Sequence, residues 1–294
     1  MQVPTILVTG STGQVGQELQ LLASQFPDFQ FIFTNRDVLD IADKAAVQAF
    51  FESHLINYCI NCAAYTAVDK AESEPEQARL INVKGAMNLA EACRNTSTTL
   101  IHFSSDYVYH NLNCTPLHES DPTFPQSVYA QTKLDGEQAA LAIWEQTMVI
   151  RTSWVYSSFG HNFVKTMLRF GQERPELRVV YDQIGTPTYA RDLAKTVLDI
   201  LQKIEKGEIA QSLLAGIYNY SNEGVLSWYD FAKAIFEIRQ INCKVIPIET
   251  KDYSTPAVRP PFSLLNKAKI KETFQIEIPY WKDALRSCLA VLKA

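Results

Sequence analysis

The feature that most constrains this chain is a glycine-rich turn close to its N-terminus. Residues 6–9 form an apolar run typical of a buried strand, and residues 14–24 follow with the apolar spacing of a helix. Between them stand Gly10, Gly13 and Gly16. Glycines at such a turn let backbone N–H groups approach a pyrophosphate, and the helix N-terminus favours the anion. The turn predicts a phosphate site, although G-x-x-G-x-x-G differs from the commoner G-x-G-x-x-G and a ligand-free turn is the alternative.

The remainder of the first 155 residues continues the alternation of strand and helix. Strand-like runs occupy residues 29–34, 58–64, 99–109 and 148–156, and helical spacing occupies 44–54, 74–94 and 127–144. This alternation predicts a parallel sheet with helices on both faces. Beyond residue 156 the pattern loosens into short strands, with helices at 190–204, 227–239 and 281–292. Ser227 and Asp230 resemble a capping box at the start of the second of these helices. We therefore predict an α/β fold, a Rossmann-like doubly wound parallel sheet with a smaller C-terminal α/β substrate domain.

Composition excludes several other classes of protein. Of the 294 residues, 47% are hydrophobic and 20% are charged, which excludes intrinsic disorder. The net charge of −5 argues against non-specific binding of nucleic acid. No apolar stretch reaches the ~18 residues of a membrane span, so we expect no membrane partner. The N-terminal segment predicts a strand instead of a signal peptide, and we expect a cytoplasmic protein with free cysteines.

Two further segments carry groups that could polarise and protonate a carbonyl. Tyr129 and Lys133 form a Y-x-x-x-K on a predicted helix, and this spacing places both side chains on one face. An ammonium near a phenol lowers the pKa of the phenol, which makes Tyr129 a candidate proton donor. Ser105 ends the fourth predicted strand, where parallel sheets bind ligands. With a nicotinamide hydride these groups predict carbonyl reduction; alternatively, Ser105 closes a turn and Tyr129 packs on the sheet.

The end of the second predicted strand bears on the choice of cofactor. Asn35, Arg36 and Asp37 follow the glycines by about 20 residues. An acidic residue at this position binds the ribose 2′-hydroxyl of NAD, whereas an arginine accommodates the 2′-phosphate of NADP. Arg36 favours NADPH and Asp37 opposes it. We expect NADPH to be preferred, with NADH possible.

Several longer runs are shared with a known family. They are the glycine turn, NCAAYTAVDKAE at residues 61–72, SDYV at 105–108, the Y-x-x-x-K region and RTSWVY at 151–156. Through these runs the chain resembles the extended short-chain dehydrogenase/reductases, and among them the dTDP-4-dehydrorhamnose reductases, nearly from end to end. The turn and the Y-x-x-x-K are common to the superfamily, whereas TAVDKAE and RTSWVY are far more specific.

The resemblance implies an activity and a set of residues. The reaction would be the NAD(P)H-dependent reduction of the C4 keto group of dTDP-4-dehydro-β-L-rhamnose to dTDP-L-rhamnose, which feeds cell-surface polysaccharide synthesis. Tyr129 would donate the proton, Lys133 would bind the nicotinamide ribose and tune Tyr129, and Ser105 would hold the carbonyl. The cofactor would also be bound by Gly10, Thr12, Gly13, Gln14, Val15, Gly16, Asn35, Arg36, Asp40, Ile41, Ala63, Ala64, Tyr65 and Thr66. The substrate would be bound by Val68, Ser105, Asp106, Tyr129, Trp154, Asn162 and Arg259.

The resemblance also implies that the chain crosses between two domains. Residues 1–152 plus about 186–220 would form the NAD(P)-binding domain, and residues 153–185 plus about 221–294 would form the substrate-binding domain. Some family members dimerise through a metal bound by glutamates. Glu18 matches one such position, but the cation Arg191 stands where another acidic ligand would lie. We therefore expect no metal site, and either a monomer or a homodimer.

Two other functions stay open from the sequence. The chain could be a reductase or epimerase of another nucleotide-ketosugar that uses the same machinery. It could also be a non-catalytic, nucleotide-binding regulatory subunit, although the intact Ser105, Tyr129 and Lys133 argue against that function.

Overall fold

A computed structural model describes residues 3–110 and 114–292. The strands are β1 (Thr5–Thr9), β2 (Gln30–Phe33), β3 (Tyr58–Asn61), β4 (Thr99–Ser105), β5 (Thr147–Thr152), β6 (Val155–Tyr156), β7 (Glu176–Val180), β8 (Ile184–Gly185), β9 (Thr188–Tyr189), β10 (Gly216–Tyr220), β11 (Leu226–Ser227) and β12 (Lys244–Ile248). The α-helices are α1 (Gln14–Leu22), α2 (Lys44–Ser53), α3 (Val68–Ala71), α4 (Pro75–Arg79), α5 (Ala86–Thr96), α6 (Val128–Ile143), α7 (Phe163–Glu173), α8 (Ala190–Glu205), α9 (Trp228–Arg239), α10 (Ala268–Phe274) and α11 (Trp281–Val291).

The main sheet has six parallel strands in the order β2-β1-β3-β4-β5-β10. Helices cover both of its faces, because its strands are apolar on both sides. One face packs with α1 and α8 through a cluster that includes Ile6, Val8, Leu19, Ile101, Leu193 and Val197. The other face packs with α2 and α5 through Leu7, Val47, Cys59, Leu89 and Leu100. The predicted doubly wound α/β fold is confirmed.

The strand order reverses direction between β1 and β3. A doubly wound sheet binds its ligand in the crevice at such a switch point, outside the carboxyl ends of the strands. The carboxyl ends of β1 and β3 are Thr9 and Asn61, which pair across the sheet. The glycine turn and the loop after β3 therefore meet at the position where a ligand is expected.

The second half of the chain forms a separate apolar cluster beside the sheet. Helices α7, α9 and α11 contribute Val164, Phe231 and Leu285, and the parallel pair β7–β12 contributes Leu177 and Val245. Within residues 186–220, α8 packs on the main sheet and β10 pairs with β5 in it. Helix α10 packs with the sheet cluster although it lies in the range predicted for the other domain. The division into two domains stays a prediction.

Several predicted elements have different limits in the structure. The predicted strand 148–156 is divided into β5 and β6, and the predicted strand 58–64 ends at Asn61. The predicted helix 74–94 is interrupted by a π-helical segment, Leu80–Gly85, between α4 and α5. The predicted strand 99–109 ends at Ser105, because the Ser105 side chain accepts a hydrogen bond from the Tyr107 backbone and starts a 3₁₀ turn. The predicted capping box at the start of α9 is confirmed. Among the described helices, none is long and apolar enough to cross a membrane.

Candidate active site

The glycine turn joins β1 to α1 through very close backbone contacts. Gly10 has a φ of +63°, and a Cβ atom at this position would lie 2.5 Å from the backbone nitrogen of Ala63. A Cβ atom at Gly16 would lie 2.6 Å from the Cα atom of Ser11. Gly13 caps α1 and donates a backbone hydrogen bond to the Gly10 carbonyl at 3.0 Å. The turn is therefore a smooth backbone cradle that begins a helix, as a pyrophosphate site requires.

The loop after β2 places at the surface the residues that are predicted to bind the adenosine end of the cofactor. Arg36 is largely exposed, and its Nε atom lies 3.2 Å from Asp40. Asn35 lies beside them and accepts a hydrogen bond from the Val38 backbone at 3.1 Å. Ile41, in contrast, is buried against Gly85, where it packs in the core. An exposed ion pair of this kind is weak, so Arg36 is available to an anion.

A buried chain of polar side chains connects the carboxyl ends of β1 and β3 to the middle of β4. The Asn61 side-chain oxygen accepts hydrogen bonds from the Thr9 hydroxyl at 2.7 Å and from the Ala63 backbone at 3.1 Å. Its amide nitrogen lies 3.0 Å from Nδ1 of His102. Burial holds the pKa of His102 well below its usual value, so the imidazole is neutral. Asn61 thereby fixes the backbone that forms the far wall of the crevice.

The π-helical segment positions the helix that carries the reactive residues. The Asn82 side chain accepts a hydrogen bond from the Tyr65 backbone at 2.8 Å and donates one to the Thr132 hydroxyl at 3.1 Å. A Cβ atom at Gly136 would lie 2.1 Å from the Asn82 carbonyl oxygen, so α6 approaches this segment very closely. Sequence reasoning missed Asn82; the available signal was a polar residue within the predicted helix 74–94.

The predicted reactive residues Ser105, Tyr129 and Lys133 converge at the carboxyl end of β4. The Lys133 ammonium is buried and donates a hydrogen bond to the Phe103 carbonyl at 2.6 Å. The Tyr129 ring meets the Tyr107 ring edge to face, with centroids 5.5 Å apart. The neighbouring Ser105 hydroxyl acts to lower the pKa of the Tyr129 phenol. The site therefore combines a hydroxyl, a phenol and an ammonium with little access to water.

The prediction that Lys133 lowers the pKa of Tyr129 is wrong for this structure. Burial raises the pKa of Tyr129 to about 12, and the Asp106 carboxyl adds to the increase. Only the neighbouring Ser105 hydroxyl lowers the pKa of Tyr129. The Lys133 ammonium is directed to a backbone carbonyl, and burial lowers its own pKa to about 8. The phenol consequently keeps its proton at neutral pH.

Asp106 is a buried carboxyl directly beside this group. It accepts a hydrogen bond from the Ser105 hydroxyl at 3.1 Å through Oδ1. Its Oδ2 atom is buried and has no hydrogen-bond partner among the described residues. Burial raises the pKa of Asp106 to about 7, and the neighbouring Ser263 and Ser105 hydroxyls limit the increase. An unsatisfied oxygen in this place suits a ligand hydroxyl.

A cavity of about 320 Å³ extends from this group towards the second half of the chain. Tyr107 and Arg259 line it near the phenol, and Phe163 and Trp228 form an aromatic wall. The predicted substrate residue Trp154 stacks on Trp228 with centroids 3.7 Å apart. Trp154 adopts a φ of +49°, which is strained for a bulky residue. Trp228 was missed from the sequence, where only the capping box beside it was noticed.

Arg259 reaches the cavity from a proline-rich loop, residues 256–261, and is held there by α3. Its guanidinium forms two hydrogen bonds with the Asp69 carboxylate, at 3.0 and 2.8 Å. The guanidinium holds the pKa of Asp69 below its usual value. The predicted substrate residue Val68 precedes Asp69 at the start of α3. The pair therefore closes the proline-rich loop against the segment that follows the cofactor crevice.

The remaining predicted residues lie around these features. Asn162 caps α7, and its amide donates a hydrogen bond to the Gln14 side chain at 2.9 Å, so these two residues bind each other. Glu18 is fully buried, where it accepts hydrogen bonds from Arg191 at 2.8 Å and from Ser157 at 2.6 Å. Thr12 and Thr66 are exposed, and Val15, Ala63, Ala64 and Tyr65 are partly buried around the crevice.

Comparison with known proteins gives a consistent result. The model of the RmlD substrate binding domain family matches residues 4–294. A dTDP-4-dehydrorhamnose reductase of Aggregatibacter actinomycetemcomitans is 38% identical over 291 residues, which cover 97% of this chain and 98% of that protein. A reductase of the same name from Clostridium acetobutylicum has a structure with a TM-score of 0.91 at 38% identity, over 99% of this chain and 100% of that one. Another, from Bacillus anthracis in complex with NADP, gives 0.92 at 33% identity, over 98% and 99%.

Proposed function

This chain belongs to the RmlD substrate binding domain family, and from that membership we propose that its active site reduces the C4 ketone of dTDP-4-dehydro-β-L-rhamnose to give dTDP-L-rhamnose. The relatives that it matches over nearly their whole length are reductases, and this chain is an NAD(P)H-dependent oxidoreductase. The observation that carries the proposal is the convergence of Ser105, Tyr129 and Lys133 beside the switch-point crevice.

The crevice fits a dinucleotide cofactor. Gly10 and Gly16 let the turn pack tightly against the backbone of Ala63 and Ser11, and the turn leads directly into the N-terminus of α1, where a pyrophosphate would bind. Arg36 supplies a cation for a 2′-phosphate, which supports NADPH as the preferred cofactor. Lys133 would hold the nicotinamide ribose. The B. anthracis relative with bound NADP supports the same assignment.

The chain's own residues act on the ketone. Bound NADPH supplies the hydride that reaches C4. Ser105 donates a hydrogen bond to the C4 carbonyl oxygen, and Tyr129 gives its phenolic proton to that oxygen as it becomes an alkoxide. Because the pKa of Tyr129 is about 12, the phenol stays protonated until such a strong base develops beside it. The unsatisfied oxygen of Asp106 would accept a hydrogen bond from a sugar hydroxyl.

The proposed reaction can be tested by following NADPH oxidation. The ketosugar is generated in the cuvette from dTDP-glucose with the upstream dehydratase and epimerase. We expect oxidation that depends on the epimerase, with dTDP-rhamnose as the product. Turnover only with UDP- or GDP-ketosugars would reject the substrate, and NADPH binding without any turnover would indicate the regulatory subunit.

The role of Tyr129 has its own test. We expect Tyr129→Phe to lower kcat by about 10²–10⁴-fold, because general acid catalysis contributes that much. The affinity for NADPH should change little. Tyr181→Phe is the matched control, because Tyr181 is exposed and lies outside the reactive group. Unchanged turnover in Tyr129→Phe would contradict the proposed chemistry.

The same proposal includes a cytoplasmic location, which the six free cysteines support. Whether the protein is a monomer or a homodimer stays a prediction, which light scattering of the purified chain would decide.

A further inference from the structure

Two arginines line the cavity, and they differ in their charge balance. Arg259 is neutralised by its two hydrogen bonds with Asp69. Arg178, on β7, is exposed and makes neither an ion pair nor a side-chain hydrogen bond with any residue of the described ranges. The described lining contains no aspartate or glutamate. The cavity therefore carries one uncompensated positive charge, and that charge belongs to Arg178.

The position of Arg178 separates it from the reactive group. The chain that follows β7 approaches Asp106. Ile184 accepts a backbone hydrogen bond from Ser263 at 2.8 Å, and the Ser263 side chain is near enough to Asp106 to lower the pKa of that carboxyl. Arg178 precedes Val180 by two residues, which is about 7 Å along a strand. A ligand that extends from Asp106 along β7 would therefore pass Val180 before its anionic part reaches the guanidinium.

From this placement we propose that Arg178 anchors the diphosphate of the nucleotide-sugar substrate. A guanidinium offers a planar fork of donors that matches phosphate oxygens, and an unpaired one has no competing carboxylate. Arg259 instead keeps the proline-rich loop in place through Asp69. The wall formed by Phe163 and Trp228 is suited to the remaining, planar part of a nucleotide. The inference rests on the proposed function and assigns the anchor of its substrate.

The test compares ligands that differ only in phosphate, with the protein held in its NADP⁺ complex. Calorimetry measures the affinity for dTDP and thymidine in the wild type, Arg178→Gln and Arg178→Lys. We expect Arg178→Gln to weaken dTDP binding about 10–100-fold, since a charge-assisted hydrogen bond contributes that much. Thymidine binding should stay within about twofold, and Arg178→Lys should recover part of the dTDP affinity. Arg174→Gln is the control, because Arg174 stacks on Phe170 and lies outside the cavity lining.

Two results would overturn the anchor. One is unchanged dTDP affinity in Arg178→Gln. The other is an equal loss for dTDP and thymidine while the NADP⁺ affinity and the thermal midpoint remain those of the wild type. UDP and GDP separate this inference from the proposed function. If the wild type binds UDP or GDP more tightly than dTDP and Arg178→Gln abolishes that binding, the role of Arg178 is supported. The thymidine base proposed for the substrate is then rejected.

Discussion

The crevice proposed for the cofactor and the cavity proposed for the substrate are adjacent, but they are built in different ways. The crevice is made of backbone, because Gly10 and Ala63 approach so closely that a Cβ atom has no room. The cavity is made of side chains that come from distant segments, such as Tyr107, Trp228 and Arg259. A backbone wall admits few substitutions, whereas a side-chain wall can be altered one residue at a time. We therefore expect changes near the crevice to affect folding and every ligand, and changes in the cavity to affect mainly the substrate.

The largest difference should be seen between two arginine–carboxylate pairs. Arg151 is buried under α6 and binds Glu137, whereas the Asp69 partner of Arg259 is partly exposed. Breaking a buried pair leaves an unpaired charge and costs about 3–5 kcal/mol of the free energy of unfolding. We expect that loss for Arg151→Leu in urea unfolding and about 1 kcal/mol or less for Arg259→Leu. Equal losses of unfolding free energy in the two variants would show that the buried pair and the partly exposed pair do not differ in their contribution to stability.

The next largest effect concerns the closeness of the backbone at the crevice. Gly10 and Gly207 both have positive φ values, +63° and +72°, but a Cβ atom at Gly207 would meet nothing within 4 Å. We expect Gly207→Ala to cost about 1–2 kcal/mol, from left-handed backbone strain alone. Gly10→Ala should cost more and should also weaken NADPH binding at least tenfold. Thermal unfolding and NADPH fluorescence titration measure both effects, and similar results for the two variants would show that the contact with Ala63 is unimportant.

A smaller effect depends on pH and tests the border between the two regions. Asp106 has a pKa raised to about 7, so the folded protein keeps a proton there that the unfolded chain releases above about pH 4. Its contribution to stability is present below about pH 4 and is lost as the pH rises to about 7, by at most about 1.4 kcal/mol per unit. Asp106→Asn should lack this decline. Lys133, whose pKa is lowered to about 8, stays protonated well below that pH, so the effect of Asp106 is measured there without a contribution from Lys133. Parallel stability curves between about pH 4.5 and 7.5 would contradict the shift.

The smallest effect belongs to the aromatic wall. Trp228 stacks on Trp154, and such a contact contributes about 0.5–1.5 kcal/mol. We expect Trp228→Leu to raise the KM for the ketosugar several-fold and to leave NADPH binding unchanged. Trp144→Leu is the control, since Trp144 donates a hydrogen bond to the Thr98 carbonyl, packs on the α2–α5 face of the sheet and is not part of the cavity lining. A change in NADPH affinity with constant KM would reverse the assignment of the wall to the substrate.

The sequence was most informative where neighbours in the chain are also neighbours in space. The Gly10–Gly16 turn, the Tyr129–Lys133 pair and the capping box of α9 are local patterns, and each was visible before the fold was known. The contact of Arg259 with Asp69 joins residues 190 positions apart, and no local pattern indicates it. The pKa of Tyr129 was predicted in the wrong direction because spacing on a helix gives no measure of burial. Asn82 and Trp228 were missed for the same reason, since their importance lies in what they contact.

The hydrogen bond between Gln14 and Asn162 connects the two regions directly, so a change on one side can alter a contact made by the other. Gln14 belongs to the first turn of α1, and Asn162 caps α7, so one bond joins the glycine turn to the substrate side. A dinucleotide that changes the orientation of Gln14 would also change its hydrogen bond with Asn162. Where a cavity ligand acts on Asn162 as well, linkage requires each ligand to change the affinity for the other by the same factor. The two ligands of this protein are therefore expected to bind non-independently.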